Sequence, residues 1–374
     1  MTTLNYLTTT HFDFGITQRL GKELSRFGVE RPLFITDEGV RAAGLLDKVL
    51  GNGGIETPSV FDQTPPNPTQ QAVMAALEHY RADGCDGVVC VGGGSPIDLG
   101  KAVALLAGSG GDLERYDPMQ GGAKHITKVA PLLAIPTTAG TGSEVSMGFV
   151  IVMDDGRKAT FASPKLVPKV ALCDPELTLG LPAHLTAATG MDAIAHCIEA
   201  VLSPVVNPPA EGVGLDGLWR AWRNIQRAVE DGSDREARWH MMMASTEGAM
   251  AFVKGLGAVH AMSHAAGRLP DLKLHHGTLN AVLLPAVLRF NKPVAEEKME
   301  RLAQAMGLPK DADLAEEIER MNASLKLPAT LGEMGVTEAH LDDLVYYAVK
   351  DLAGRTNPRQ ASAEDYRALF EQAL

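Results

Sequence analysis

One aspartate and a set of histidines have the spacing of a metal site. Asp192 and His196 stand four residues apart in residues 190–200, a segment of mostly good helix formers. Because an α-helix rises about 1.5 Å per residue, the two side chains lie one turn apart on one face and can bind one divalent cation. The segment is otherwise apolar, so a charge within it needs a partner. A second cluster offers further imidazole nitrogens: His260, His264, His275 and His276. Acid–histidine pairs at this spacing also occur on solvated helices, which is the alternative interpretation.

A glycine-rich turn is the second chemical signal. Three glycines at 92–94 follow an apolar run, and the pattern predicts Ser95 as the N-cap of a helix, Pro96 as its first residue and Asp98 as its third. Glycines there let backbone N–H groups approach an anion at the helix N-terminus, where the helix dipole favours negative charge. The functional interpretation is a pyrophosphate cradle, and the alternative is an ordinary strand-to-helix turn. The stretch is neither the G-x-G-x-x-G fingerprint nor a Walker loop.

Two other stretches suit a nucleotide at the same sheet edge. The threonine–glycine loop 136–144 follows the strand-like run 131–135, and ligands of open α/β sheets bind at the ends of such strands. Asp37 ends an early strand and could accept hydrogen bonds from ribose hydroxyls while repelling a 2′-phosphate, which favours NAD over NADP. Its alternative role is to cap the next helix.

The elements that must position these residues change character near residue 182. Before it, strands alternate with helices, which predicts a parallel sheet covered on both faces. The predicted strands are 31–36, 59–61, 86–91 and 131–135, with helices at 40–50 and 68–81 (the latter capped by Asn67) and a hairpin from 149. After it, only helices are predicted, at 185–202, 212–230, 235–254, 277–290, 294–306, 314–325 and 338–352. We therefore predict an α/β dinucleotide-binding domain over residues 1–181 and an all-α metal- and substrate-binding domain over residues 182–374.

Composition narrows the partners. A chain of 374 residues with 45% hydrophobic residues suits two domains. The net charge of -12 and the pI near 5.4 argue against nucleic acid or an anionic membrane. The polar start is no signal peptide, and no uninterrupted apolar run reaches the roughly 18 residues of a membrane span. The four cysteines form no C-x-x-C pair, which fits a reducing cytoplasm. We expect a cytoplasmic protein that acts on a small molecule, as a homo-oligomer, a dimer.

Jointly, the motifs resemble the iron-containing alcohol dehydrogenases, the group III, metal-dependent kind. The resemblance covers essentially the whole chain in the right order. The matching runs are Gly92-Gly93-Gly94-Ser95-x-x-Asp98, Pro136-Thr137-Thr138-x-Gly140-Thr141-Gly142-Ser143-Glu144, Gly190-x-Asp192-Ala193-x-x-His196, Gly257-x-x-His260-Ala261-x-x-His264, His276-Gly277, Asn67-Pro68-Thr69 and Thr356-Asn357-Pro358-Arg359. The resemblance implies a dehydroquinate synthase-like fold, with a nucleotide-binding α/β domain and a helical metal domain.

The resemblance also implies roles by position. The metal ligands are Asp192, His196, His260 and His276, and His264 is the catalytic histidine that helps proton transfer. The cofactor contacts are Gly93, Gly94, Ser95, Asp98, Thr137, Thr138, Ser143 and Lys158, with Asp37 where an aspartate accompanies NAD. The ligand set suits Fe²⁺ or Zn²⁺. The connection to His276 is longer than usual, which leaves His275 as an alternative ligand, although the following glycine favours His276.

Within the family, the match is closest to the 4-hydroxybutyrate dehydrogenase branch, through the runs 173–178 and 274–281. The implied reaction moves a hydride between a primary alcohol, such as 4-hydroxybutyrate or a similar ω-hydroxy acid, and NAD, and gives the aldehyde, succinate semialdehyde. The substrate carboxylate would need a cation, for which Arg355 is the first candidate, followed by Arg268 and Lys254. The alternative role of Arg355 is an ion pair with Asp351.

Other functions stay open at the level of sequence. One is a general short-chain alcohol or aldehyde oxidoreductase of the same family. A second is a dehydroquinate-synthase-like lyase with NAD and zinc, which would call for more basic residues around a phosphorylated substrate. A third is a non-catalytic metal-binding module, which needs no nucleotide cradle.

Overall fold

The computed structural model describes residues 8–269 and 271–374, which form two compact units. The α/β unit comprises residues 8–138 and Gly142–Gly180, and the helical unit comprises Leu181–Leu374 together with Ala139–Thr141. One short piece of the threonine–glycine loop thus belongs to the helical unit.

The α/β unit is built on a six-stranded sheet. Its elements are β1 (Thr9–Phe12), α1 (Leu20–Arg26), β2 (Pro32–Ile35), α2 (Glu38–Ala42), α3 (Leu45–Gly53), β3 (Ser59–Phe61), α4 (Gln70–Ala82), β4 (Gly87–Gly92), α5 (Gly94–Ser109), β5 (Leu132–Pro136), β6 (Gly148–Val152), β7 (Lys158–Ala162) and β8 (Val170–Cys173). The strand order is β1-β8-β5-β4-β2-β3, and every neighbouring pair is parallel. The predicted α/β class with a parallel sheet is confirmed. The strands β6 and β7 form a separate antiparallel hairpin.

Helices cover both faces of the sheet. Successive side chains of a strand point to opposite faces, so each strand contributes to two core clusters. Val88 and Cys90 of β4 pack in the core cluster that also holds side chains of α4 and α5. Val89 and Val91 pack in the opposite cluster with α1 and α3. The continuous apolar run that predicts β4 is therefore a strand buried on both sides.

Several local predictions are wrong in detail. The helix predicted over 40–50 is two short helices, α2 and α3, separated at Gly44, whose φ of 70° breaks the helix. Thr69, rather than Asn67, caps α4 by accepting a hydrogen bond from the Ala72 amide. The strands β1 and β8 lie outside the predicted set.

The helical unit contains α6 (Ala183–Leu202), α7 (Pro208–Glu230), α8 (Arg235–Ala251), α9 (Ala258–Ala266), α10 (His276–Asn291), α11 (Glu296–Met306), α12 (Leu314–Ser324), α13 (Leu341–Lys350) and α14 (Ala363–Ala373). No strand lies among its described residues, so the predicted all-α second half is confirmed, although α9 and α14 lie outside the predicted stretches. In the described chain, α6 alone is long and apolar enough to span a bilayer, and 94% of the qualifying window is buried inside the structure. A helix so buried is a core helix.

Candidate metal centre and nucleotide cradle

Four side chains from three helices converge on one point of the helical unit. α6 carries Asp192 and His196, α9 carries His260, and α10 begins with His276. The Nε2 atoms of these histidines lie 3.6, 3.7 and 3.7 Å from Asp192 Oδ1, in that order. These separations are too long for hydrogen bonds. Donors that share one tetrahedral ion at about 2.1 Å lie about 3.4 Å apart. Ligand atoms of Asp192, His196 and His260 all lie within 4.8 Å of one another, so these three residues could hold a metal ion.

The outer ring nitrogen of each histidine contacts a protein oxygen. His196 Nδ1 lies 3.2 Å from the Gly140 carbonyl, and His260 Nδ1 lies 2.5 Å from Glu199 Oε2. His276 Nδ1 lies 3.4 Å from Ser263 Oγ. When Nδ1 carries the proton, the lone pair of a neutral imidazole is on Nε2, which is the atom that each ring presents to Asp192.

Burial opposes charge on the side chains of the centre. Asp192, His196 and His260 are each at least 96% buried. Burial opposes ionisation of Asp192, but the surrounding histidines outweigh it and hold the pKa of this carboxyl far below its usual range. Burial lowers the pKa of His196 to about 4. The same burial acts on His260, but the carboxylates of Glu199 and Asp192 together outweigh it and raise the pKa of that ring to about 9. A buried carboxylate among imidazoles matches the donor chemistry of a divalent cation.

Asn280 is a polar neighbour of the donors that sequence reasoning missed. Its Nδ2 lies 2.7 Å from Asp192 Oδ1 and 3.2 Å from the Nε2 atoms of His260 and His276. Its Oδ1 is buried without a hydrogen-bond partner among the described residues. The spacing of four residues after His276 on α10 is the signal that could have identified it.

His264 lies beside the donors. Its ring stacks on His276 with centroids 5.4 Å apart, and its Nδ1 lies 2.9 Å from Asp351 Oδ2. The carboxylate of Asp351 therefore contacts His264, and the alternative ion pair between Arg355 and Asp351 is not formed. His275, by contrast, is exposed, and it is His276 whose Nε2 faces Asp192.

In the α/β unit, the structure brings the two predicted nucleotide loops together. Gly92 and Pro136 are register partners at the ends of β4 and β5, and the Thr137 amide donates to the Gly92 carbonyl over 3.0 Å. A Cβ on Gly93 would lie 3.3 Å from the Thr138 side chain. The two loops therefore form one surface at the carboxyl edge of the sheet, where α/β proteins bind ligands.

The helix after the glycines begins two residues earlier than predicted. Gly93 is the N-cap, Gly94 is the first residue of α5, and Ser95 Oγ donates to the Pro66 carbonyl. Gly92 has a φ of 158°, and a Cβ there would lie 2.5 Å from the Pro96 side chain. This glycine is required by space, and the turn leaves backbone N–H groups at the start of α5.

Asp98 connects α5 to the following loop. Its carboxylate accepts hydrogen bonds from Ser143 Oγ at 2.6 Å and from the Val150 amide at 2.9 Å, and burial raises its pKa. Lys101, one turn further on, donates to the carbonyls of Ser146 and Gly148. Asp98 is thus already engaged within the protein, and Lys101 is a further anchor of this loop that sequence reasoning missed.

The remaining predicted residues have these surroundings. Asp37 caps α2 by accepting a hydrogen bond from the Val40 amide at 2.8 Å, and it follows β2, the neighbour of β4 in the sheet. Lys158 begins β7. Lys254 is buried, and its Nζ forms an ion pair with Glu211 Oε2 at 2.6 Å, so its charge is already paired within the protein. The guanidinium of Arg268 lies over the Tyr347 ring. Arg355 is exposed in the turn Ala353–Thr356.

Comparison with known proteins gives matches over both units. The family described as "Iron-containing alcohol dehydrogenase" matches residues 8–175, and "Fe-containing alcohol dehydrogenase family, C-terminal" matches residues 186–374. A 4-hydroxybutyrate dehydrogenase of Cupriavidus necator is 53% identical, with all of both chains covered. The crystal structure of a 1,3-propanediol oxidoreductase superposes with a TM-score of 0.94 at 35% identity, again over both whole chains. A sulfoacetaldehyde reductase from Bifidobacterium kashiwanohense in complex with NAD⁺ gives a TM-score of 0.89 at 25% identity, over 100% of this chain and 98% of that one.

Proposed function

The chain belongs to the iron-containing alcohol dehydrogenase family, and we propose that it oxidises an ω-hydroxy acid, 4-hydroxybutyrate, with NAD as the hydride acceptor. The products are succinate semialdehyde, NADH and a proton, so the two electrons lost by the alcohol carbon are those gained by NAD. The observation that carries the substrate is the 53% identity with a 4-hydroxybutyrate dehydrogenase over both full lengths.

We infer that Asp192, His196, His260 and His276 hold the divalent cation, Fe²⁺ or Zn²⁺. The fit rests on Asp192 Oδ1 and on the three histidine Nε2 atoms, which lie 3.6 to 3.7 Å from it. When bound, such a cation lowers the pKa of an alcohol hydroxyl. Asp192 supplies the negative charge, and the three rings supply neutral nitrogen donors whose orientation is fixed by their Nδ1 contacts.

His264 and its partner Asp351 would handle the proton released by the alcohol. The Asp351 carboxylate lies 2.9 Å from His264 Nδ1, so it can orient the ring and leave Nε2 available to accept a proton. The ring is partly exposed, with 15% of its side chain accessible, which allows the proton to pass on to water.

The nucleotide would be held at the carboxyl edge of the sheet. Support comes from the free amides at the start of α5 and from the adjacent threonine loop. The proposed contacts are Gly93, Gly94, Ser95, Asp98, Thr137, Thr138, Ser143 and Lys158, with Asp37 disfavouring a 2′-phosphate.

We further propose that the two units are domains with a boundary between residues 181 and 182, and that the protein is a cytoplasmic homodimer without nucleic-acid or membrane partners. The charge of -12 and four free, buried cysteines support this environment. Sedimentation equilibrium tests the dimer, and a mass equal to one chain would contradict it.

The activity is tested by NADH formation under anaerobic conditions with Fe²⁺- or Zn²⁺-loaded protein. We expect the highest kcat/KM with 4-hydroxybutyrate, compared with 1,3-propanediol and 1-butanol. Equal or higher kcat/KM with the neutral alcohols would favour a general alcohol oxidoreductase, which the similarity to a 1,3-propanediol oxidoreductase makes the second candidate. Absence of NADH with every alcohol would overturn the proposed function.

Arg355 is our candidate for binding the substrate carboxylate. It is exposed, and its side chain makes no ion pair within the described part of the chain. Because a guanidinium binds a carboxylate through paired hydrogen bonds, Arg355→Ala should raise KM for 4-hydroxybutyrate about tenfold or more, or ~1.4 kcal/mol. Steady-state kinetics with 1-butanol are the control and should change little. Equal losses on both substrates would indicate structural damage, and no loss would place the carboxylate elsewhere.

A further inference from the structure

Glu199 continues the metal-binding face of α6. It stands three residues after His196 and seven after Asp192, which is the i, i+4, i+7 spacing of one helix face. All three side chains are buried, and Glu199 is only 3% exposed. A carboxylate at such a position requires partners.

Glu199 uses both oxygens on α9. Its Oε2 lies 2.5 Å from His260 Nδ1, and its Oε1 accepts the Val259 amide at 2.8 Å. Glycine at 257 makes this approach possible, because a Cβ there would lie 2.6 Å from Glu199 Oε1. One carboxylate therefore fixes both the ring of His260 and the first turn of the helix that carries it.

Asn357 holds the adjacent amide of the same turn. Its Oδ1 accepts hydrogen bonds from the Ala258 amide at 3.1 Å and from Asn291 Nδ2 at 3.0 Å. The late motif around Asn357 thus anchors the start of α9 through the backbone alone. Within the described part of the chain, the Asn357 side chain forms no hydrogen bond with the His260 ring, whereas Glu199 does.

We propose that Glu199 is the positioning residue that sets the metal-binding tautomer of His260. By accepting the Nδ1 proton, its carboxylate leaves the Nε2 lone pair directed at the donor set, 3.7 Å from Asp192 Oδ1. Carboxylates in this position behind a ligating histidine fix the ring and increase its basicity. The inference rests on the metal site of the proposed function and adds a residue to it.

The isosteric variant Glu199→Gln separates this role from packing. With its amide oxygen on Val259, glutamine presents an NH₂ group to Nδ1, which moves the ring proton to Nε2 and blocks the donor. In the reverse orientation, two N–H groups face each other at Val259. The first orientation keeps both contacts but imposes the wrong tautomer, and the second loses the contact with the Val259 amide, while the volume of the side chain is kept.

The experiment measures Zn²⁺ affinity by competition with a chromophoric chelator and the visible spectrum of the Co²⁺-loaded protein. Glu199→Gln should weaken Zn²⁺ binding by about 10- to 100-fold and shift the Co²⁺ bands, with the circular dichroism of the metal-free protein retained. Asn357→Ala is the matched control. It should lower Tm with a much smaller loss of affinity, because the Nδ1 contact is intact. If Glu199→Gln does not fold, Glu199→Asp replaces it: its carboxylate is withdrawn from Nδ1 by one methylene, so Zn²⁺ binding should again be weaker than in wild type, and wild-type affinity would contradict the inference.

Two results would overturn the inference. Wild-type affinity and an unchanged Co²⁺ spectrum in Glu199→Gln would show that Glu199 does not set the tautomer. An equal loss of affinity in Asn357→Ala would show that the effect comes from the position of α9. Failure of the wild-type protein to bind Zn²⁺ or Co²⁺ would instead reject the metal site, and with it the proposed function.

Discussion

At the scale of single residues, the centre depends on which nitrogen of each ring carries the proton. Gly140, Glu199 and Ser263 contact the Nδ1 atoms of the three histidines. The Gly140 carbonyl and the Glu199 carboxylate can only accept, so they favour a proton on Nδ1 of His196 and His260, whereas the Ser263 hydroxyl can donate or accept. For His196 and His260, the orientation of the ring is therefore set by protein contacts alone.

Adjacent histidines give a direct test of the ligand set. His276→Ala should lower bound metal and abolish turnover, because it removes one of four donors, whereas His275→Ala should leave both largely unchanged, since that side chain is exposed. Metal content by mass spectrometry and NADH formation are the two measurements. If His275→Ala instead loses the metal, the ligand at this position has been assigned to the wrong residue.

At the scale of elements, α6 is held close to its neighbours by glycines. A Cβ on Gly217 of α7 would lie 2.9 Å from Cys197 Sγ, and one on Gly248 of α8 would lie 3.1 Å from His196 Cβ. Small residues let helices approach closely, so the position of the donors on α6 depends on the backbones of α7 and α8.

Asp37, the N-cap of α2, is expected also to determine the preference for NAD over NADP. Asp37→Asn keeps a good N-cap, since asparagine can accept from the Val40 amide, but it removes the negative charge. We expect the ratio of kcat/KM for NAD over NADP to fall, with Tm nearly unchanged. An unaltered ratio would mean that Asp37 serves the helix alone.

Glu247 on α8 gives the helical unit a pH-dependent stability. Burial, followed by a hydrogen bond with Asp216, raises the pKa of Glu247 to about 8 from a usual value of 4.5, although Arg220 works in the opposite direction. Between these two values, the folded state keeps a proton that the unfolded state has lost, so this contribution to stability is full below pH 4.5 and is lost as the pH rises through 8.

Glu247→Gln should remove that slope. The free energy of unfolding of the variant minus that of wild type should increase from pH 5 to pH 8, because only the wild type loses this contribution. The increase should be on the order of 1–3 kcal/mol. Urea unfolding at several pH values measures the difference. A difference between variant and wild type that does not vary with pH would contradict the raised pKa.

At the scale of the whole molecule, each unit contains its own proposed binding site. The four proposed metal donors all belong to the helical unit, and the proposed cofactor contacts Gly93, Gly94, Thr137 and Thr138 belong to the α/β unit. The metal donors are spread over three helices, so the cation would cross-link elements that are distant in sequence.

Loading one ligand at a time should therefore protect different segments. Zn²⁺ should slow amide hydrogen exchange in α6, α9 and α10, and NAD should slow it at the start of α5 and in the loop after β5. Ligand at a hundred times its Kd stabilises the folded state by about 2.7 kcal/mol. Mass-spectrometric exchange measures the protection, and Zn²⁺ that protects none of the three helices would argue against the donor set.

The sequence determined the features that depend on spacing along one element. Asp192 and His196 share a helix face because residues four apart always do, and an apolar run followed by glycines and a capped helix predicts the turn after β4. The same local rules separate the alternating first half from the helical second half. They do not locate Gly44, where two helices replace the predicted one, because a single glycine is also tolerated within a helix.

The tertiary structure decided which distant residues meet. Asp192 and His260 lie on different helices, and no periodicity relates positions so far apart. Packing alone places Glu199 behind His260, directs Asp351 to His264 rather than to Arg355, and buries Lys254 against Glu211. Packing also puts His276 Nε2 3.7 Å from Asp192 Oδ1 and leaves His275, in an extended conformation ahead of α10, exposed.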